Sequence, residues 1–264
     1  MFMVEIREDA MSTPLKFLKW YRELADKKGR LKTGVFIVEG DKAIRQIMAA
    51  HPDEITEILT VEEPPTAYRH YPARLVTESQ FRYISSTRTP QGITAVVRIP
   101  AGVYTDHLPQ DIGNRILLLE DIQDPGNVGT LIRTAAAFDY SGAILTENCA
   151  DPLSPKCVQA TAGTVLSVWF RRTAQHAELI RSLRQNGYIL IAAELKGTDD
   201  PSILPRQKKL LLALGNEAKG LSKEILGMAD YRVRIPTMPE KAESLNVATC
   251  GAILMYLSSQ DTMD

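Results

Sequence analysis

Three segments place unusual polar residues directly after apolar runs. RILLLED leads into IQDPGNVGTLIRTAAAF, which carries Asn127 and Arg133. KKLLLALGN leads into EAKGLS, with Gly215 and Glu217, and YRVRIP leads into TMPEKAESLNVA, with Ser244 and Asn246. A carboxamide both donates and accepts, a carboxylate only accepts, and a guanidinium only donates. Converging on one edge of a sheet, such groups could orient and polarise a ligand. Each residue also has a plainer reading. Asn127 can cap the helix that follows the Pro-Gly turn, Glu217 can be an ordinary loop residue, and Ser222 can cap the next helix. Ser244 can cap the last helix, with Asn246 in its first turn. Arg133 interrupts a small, apolar helix surface, which favours a functional part for it. Nucleophilic hydrolysis has no support, because Ser244 has no nearby histidine and G-x-S-x-G is absent. The glycine patterns of nucleoside-triphosphate and dinucleotide sites are absent too.

The elements that must position these residues alternate. Beyond residue 114 the apolar runs RILLLED, GAILTEN, SVWFRRT, YILIAAEL, KKLLLALGN and YRVRIP read as strands. Between and after them NVGTLIRTAAAFD, PKCVQATAG, AELIRSLRQNG, LSKEILGMA and SLNVATCGAILMYLSSQ read as helices. Near-continuous apolar strands separated by helices predict a parallel sheet covered on both faces. Ligands of such sheets bind at the carboxyl ends of the strands. Before residue 99 a smaller α/β unit is expected. It has an amphipathic helix over 14–30 with Leu15, Leu18, Tyr21 (or Trp20) and Leu24 on its inner side, and a strand at GVFIVEG. A helix at DKAIRQIMAA with Asp41 as its cap follows, then strands at EITEILTV, ARLVTES and GITAVVRI. The Pro- and Gly-containing stretch IPAGVYTDHLPQDIGN reads as a linker. The expected division is 1–100, a linker at 101–113, and 114–264.

Composition sets limits. The 264 residues carry a net charge of −1, so any nucleic-acid contact is local rather than spread over the surface. Three cysteines without C-x-x-C spacing and four scattered histidines predict reduced thiols and no metal site. The N-terminus MFMVEIREDAM lacks the apolar core of a signal peptide, and no apolar run reaches the ~18 residues of a membrane span. The expectation is a cytoplasmic protein.

Taken in order, the three segments resemble the signature motifs of the SpoU (TrmH) family of RNA ribose 2′-O-methyltransferases, within the SPOUT superfamily. The first motif is DPGNVGTLIRTAAAF with Asn127, Gly129 and Arg133. The second is LALGNEAKGLS with Gly215, Glu217 and Gly220, and the third is IPTMPEKAESLNVA with Ile235, Pro236, Ser244, Leu245 and Asn246. The likeness covers roughly residues 114–260. More loosely, residues 14–98, with KKGR and VFIVEGDKAIRQIM, resemble the L30e-like substrate-binding domain of many members. That points to the subgroup acting on large-subunit ribosomal RNA.

The resemblance implies a deep trefoil knot in the C-terminal domain, S-adenosylmethionine as methyl donor, and a homodimer. It assigns catalysis to Asn127, Arg133, Glu217, Ser244 and Asn246, and backbone contacts with the cofactor to Ala193, Gly215, Ile235 and Leu245. Within that assignment Asn127 would hold the ribose. Arg133 would grip the adjoining phosphate and the developing alkoxide, and Glu217 competes with Arg133 for the 2′-hydroxyl proton. RNA contacts are expected from Lys16, Lys19, Lys27, Lys28 and Arg30, with Trp20 and Tyr21 interleaved and Arg82, Arg88 and Arg98 extending the patch. The competing reading of this basic stretch is a solvated helix face. Alternatives for the whole chain are a tRNA ribose methyltransferase, a non-catalytic RNA-binding or ribosome-assembly module, and a nucleotide-dependent oxidoreductase that lacks its glycine fingerprint.

Overall fold

The computed structural model describes residues 16–238, 240–241 and 244–260. The N-terminal leader, the expected helix start at residues 14–15 and part of the third motif lie outside those residues. The chain divides into two units, 1–98 and 99–264.

In the first unit, four strands form a sheet in the order β1 (Val35–Glu39), β4 (Ile93–Arg98), β2 (Ile55–Thr60), β3 (Ala73–Leu75). β4 is antiparallel to both neighbours, while β2 and β3 are parallel. The single helix expected over 14–30 is two helices, α1 (Leu18–Glu23) and α2 (Lys27–Thr33). Arg30 explains the break. It is 1% exposed, and its guanidinium donates to the carbonyls of Leu24 (3.0 Å) and Ala25 (2.7 Å), which the end of α1 leaves without helical partners. Beyond α2, helix α3 (Asp41–Ala50) is capped by Gly40, not Asp41. Asp41 sits in the first turn and accepts from Arg45 Nε (2.7 Å) and Tyr68 Oη (2.7 Å).

ARLVTES, expected as one strand, is a strand of three residues and then helix α4 (Glu78–Ile84). The sequence marks that start with a capping box. Thr77 accepts from the Gln80 N–H, and the Gln80 side chain accepts from the Thr77 N–H. Tyr21 and Leu24 then pack with Phe81, Ile84, Leu59 and Val96, which joins α1 and α4 to the sheet.

The second unit is a six-stranded parallel sheet. Its order is β10 (Tyr231–Val233), β8 (Ile189–Ala193), β9 (Leu210–Leu214), β5 (Arg115–Leu119), β6 (Gly142–Thr146), β7 (Trp169–Thr173). β5, β6 and β9 are buried at every position, as strands covered on both faces must be. The helices are α5 (Pro125–Ala137), α6 (Pro155–Thr161), α7 (His176–Gln185), α8 (Lys223–Met228) and α9 (Val247–Ser258). Gly129 lets α5 and α6 touch, because a Cβ there would lie 2.3 Å from the Cys157 carbonyl oxygen. The chain runs outward through β6 and β7, then returns to insert β9 between β8 and β5. The carboxyl ends of β5 and β9 therefore meet where the winding reverses, the usual ligand position in such sheets.

The stretch expected as a linker is folded onto the second unit. Val103 is 1% exposed, and its carbonyl accepts from the Arg172 N–H (2.8 Å). Tyr104 donates to Asp151 (3.0 Å), Thr173 to Asp106, Arg171 to the His107 carbonyl, and Trp169 to the Ile112 carbonyl (3.1 Å). Among the described residues no helix is long and apolar enough to cross a membrane, and no cluster of His, Cys, Asp and Glu has metal-binding geometry.

Candidate active site

Helix α5 begins on Pro125, and its cap is Asp124 rather than Asn127. The Asp124 carboxylate accepts from the Asn127 backbone N–H (3.0 Å) and from Lys156 Nζ (2.9 Å). The Lys156 hydrogen bond, followed by that N–H, holds the Asp124 carboxyl below the usual carboxylate range. With the cap supplied, the Asn127 side chain is available for other contacts. Its Nδ2 donates to Glu217 Oε1 (2.7 Å), and its Oδ1 accepts from Asn246 Nδ2 (3.2 Å).

Asn246, in turn, is the cap of α9. Its Oδ1 accepts from the N–H groups of Ala248 (2.9 Å) and Thr249 (3.3 Å). The cap expected at Ser244 therefore falls two residues later. Ser222 does cap α8, by accepting from the Ile225 N–H (3.3 Å). Asn127 thus bridges the second and third segments, with both ends of its amide in use. Glu217 itself is exposed. Asn127, Glu217 and Asn246, with the two partners 90 and 119 positions from Asn127 in sequence, form one polar chain.

Beside it lies a cavity of about 400 Å³. Ala193, Gly215, Ile235 and Leu245, the four expected cofactor contacts, all line it, as do Glu217 and Ser244. Part of its wall is apolar, with Leu214, Leu221, Leu226, Val233 and Leu254. Gly215 is required there because a Cβ would sit 2.4 Å from the backbone of Gly220 and Leu221, where the loop after β9 closes on its own start. Cys250 also lines the cavity, and burial pushes its thiol up to about 11.

Arg133 is not drawn into this arrangement. Six residues of helix turn it about 240° from Asn127. It is exposed and, among the described residues, makes no hydrogen bond or ion pair.

The expected RNA-contacting residues of the first unit divide. Arg30 is a correction, because its buried guanidinium holds the α1–α2 turn and cannot meet a phosphate. Lys16 pairs with Glu57 (3.3 Å) and lies 4.2 Å over the Trp20 ring. Lys19 stands 4.0 Å from Glu23, and Lys27 and Lys28 are exposed on α2. Tyr21, expected as a stacking residue, is 1% exposed and donates to Glu57. Sequence reasoning missed Asp124, Asn216 and Lys156 at the site. An Asp directly before Pro at a helix start was the available signal for the first.

Residues 114–256 match the model of the SpoU rRNA Methylase family, and residues 16–95 match an MRM3-like substrate binding domain. A curated relative from Bacillus subtilis, 23S rRNA (guanosine(2553)-2′-O)-methyltransferase RlmP, is 29% identical over 90% of this chain and 94% of its own length. A solved TrmH-family protein from Porphyromonas gingivalis is 30% identical, with a TM-score of 0.80 over 94% of this chain and 99% of that one. An rRNA methyltransferase from Sinorhizobium meliloti, solved with AdoMet bound, is 29% identical, with a TM-score of 0.79 over 96% of this chain and 97% of that one.

Proposed function

Because the chain belongs to the SpoU rRNA methylase family, we propose that it is an S-adenosylmethionine-dependent methyltransferase of an RNA ribose 2′-hydroxyl, with 23S ribosomal RNA as substrate. The observation that carries this reading is the Glu217–Asn127–Asn246 chain at the rim of the 400 Å³ cavity. The cavity fits the cofactor. Its volume is that of a small-molecule site, and its apolar wall suits a purine. Ala193 at the end of β8, Gly215 after β9, Ile235 after β10 and Leu245 before α9 all line it. When bound there, S-adenosylmethionine supplies a methyl group activated by its sulfonium sulfur.

The chain's own residues then have separate tasks. Asn127 orients the ribose with a carboxamide that Glu217 and Asn246 hold in one rotamer. Glu217 Oε2 takes the proton released as the 2′-oxygen attacks, since a carboxylate accepts at neutral pH and a guanidinium does not. Arg133 binds the adjoining phosphate, which its exposed fork suits. Ser244, on the cavity wall, fixes the third segment against the bound cofactor.

The reading extends to assembly. Helix α9 is apolar all round, yet Tyr256 is 49% exposed and stacks edge-on with Phe138 at 5.9 Å. Such a face suits burial against a second copy, in keeping with a homodimer. The deep trefoil knot rests on family membership. A cytoplasmic location follows from an rRNA substrate. The RNA contacts proposed for the first unit are Lys19, Lys27 and Lys28, with Lys16 at their edge.

The test is ribose-methylation mapping of total RNA from cells with and without the gene. It is paired with methyl transfer in vitro from labelled cofactor to large-subunit rRNA fragments. One missing methyl in 23S rRNA is the expected result. A missing methyl in tRNA would overturn the substrate, and cofactor binding without transfer to any RNA would leave an assembly module.

A further inference from the structure

The loop from Gly215 to Ser222 has two tasks in the proposed reaction. It is a wall of the cavity, and it carries Glu217. A loop of mostly exposed residues needs something to hold it, and the grip comes from the dipeptide that directly follows β5.

At one end of the loop, Asn216 Nδ2 donates to the Asp121 carbonyl (2.8 Å). The Asn216 Oδ1 meanwhile accepts from the N–H groups of Ala218 (2.9 Å) and Lys219 (3.0 Å), which folds the loop around Glu217. At the other end, the Ser222 N–H donates to Glu120 Oε2 (2.6 Å). Glu120 is 8% exposed, and its own N–H donates to the Leu214 carbonyl (2.9 Å). The two neighbours thus hold both ends of one loop on the adjoining strand.

Asp121 makes this contact in a left-handed conformation, with φ at 56°. Asp tolerates that region better than most residues, but it is still unfavourable for a non-glycine side chain. The conformation is fixed from β6. Thr146 Oγ1 accepts from the Asp121 N–H (2.9 Å) and donates to its Oδ1 (2.6 Å), and Asn148 Nδ2 donates to its Oδ2 (3.1 Å). Neither Glu120, Asp121 nor Thr146 lines the cavity.

We propose that Glu120 and Asp121 form a clasp, locked by Thr146, that holds the Gly215–Ser222 loop in the shape the cofactor and Glu217 require. All three are positioning residues. The proposal rests on the functional reading above for what the loop serves, while the clasp itself rests on geometry.

The test compares Glu120→Ala, Glu120→Gln and Thr146→Val in the full chain. Three readouts are cofactor affinity by calorimetry, amide hydrogen exchange at Ala218, Lys219 and Ser222, and the separate values of kcat and KM for RNA. In Glu120→Ala, exchange at Ser222 accelerates and cofactor affinity and kcat each fall about tenfold, the size of one lost buried hydrogen bond. KM for RNA stays within about twofold, because no RNA contact is touched. Glu120→Gln keeps an acceptor oxygen and restores affinity to within about threefold. Thr146→Val removes only a hydroxyl at constant shape, accelerates exchange at Ala218 and Lys219, and weakens the cofactor about threefold.

Faster exchange with wild-type affinity and kcat would overturn the proposal, and so would unchanged exchange. If Glu120→Ala does not fold, Thr146→Val decides by the same criteria. If the wild-type protein binds no S-adenosylmethionine, the functional reading falls, and exchange at Ala218, Lys219 and Ser222 still decides whether the clasp exists.

Discussion

The basic stretch of the first unit and the polar chain of the second both stood out in the sequence as sites, and the structure treats them differently. Residues 16–32 carry seven cations, yet one is buried in a turn, one is paired with Glu57 and one stands beside Glu23. Asn127, Glu217 and Asn246 are separated by long stretches of sequence, yet they touch. A parallel sheet collects the residues that follow its strands at one edge, whatever their separation in sequence. A helix scatters consecutive residues around its axis, so a run of charges does not make a patch. Polar residues after apolar strands are therefore the more dependable sign of a site.

The sharpest way to break this contrast is at the polar chain. Asn127→Ala is expected to lower kcat about 100-fold with little change in unfolding midpoint, because it removes orientation rather than packing. A loss under threefold would detach the chain from the chemistry. Arg133→Lys tests the outlying member. If the guanidinium fork grips a phosphate, most of the turnover disappears with charge conserved, and retained turnover would reduce Arg133 to a general positive charge.

The next effect concerns stability. Arg30→Ala is expected to destabilise the first unit by about 2–3 kcal/mol, by leaving the Leu24 and Ala25 carbonyls without their donor. The double change Lys27→Ala and Lys28→Ala should alter stability by less than about 0.5 kcal/mol. It should also weaken RNA binding and reduce the salt slope by about two. Equal effects of the two changes on RNA binding, at unchanged fold, would restore Arg30 to the RNA surface.

Much of the second unit was legible in the sequence because its strands are continuous apolar runs and its turns carry Pro and Gly. The cavity residues followed from the resemblance. The caps were less legible, since Asp124, Asn127, Ser244 and Asn246 are all acceptable cap residues and only geometry chooses among them. Helix α4 escaped because LVTESQ has strand-like residues at its start, although the Thr77–Gln80 box marks a helix. The break between α1 and α2 could not be read at all. It depends on an arginine turning inward, which periodicity cannot distinguish from an exposed one.

The smallest effect sharpens the assignment of caps. Asp124→Ala should cost about 1 kcal/mol, the usual value of a helix cap. The Asp124 carboxyl is depressed in the folded state, so this contribution is fully present above the ordinary Asp value near 4. It disappears as pH falls through the depressed folded value. Thermal melts of wild type and Asp124→Ala should therefore converge only in strong acid. Convergence already at pH 6 would mean that the carboxylate does not cap α5.

The strip from Ile99 to Gly113 bears on how this chain can be cut. A fragment beginning at Asn114 would remove a buried valine whose carbonyl pairs with β7, take the Tyr104 hydroxyl from Asp151, and strand the donors of Thr173, Arg171 and Trp169. The second unit should be expressed from Ile99 onward, and a swap of the first unit for another domain should be joined after Arg98. By the same reasoning, an insertion that lengthens the tether belongs at that junction, where it adds slack without tearing a seam.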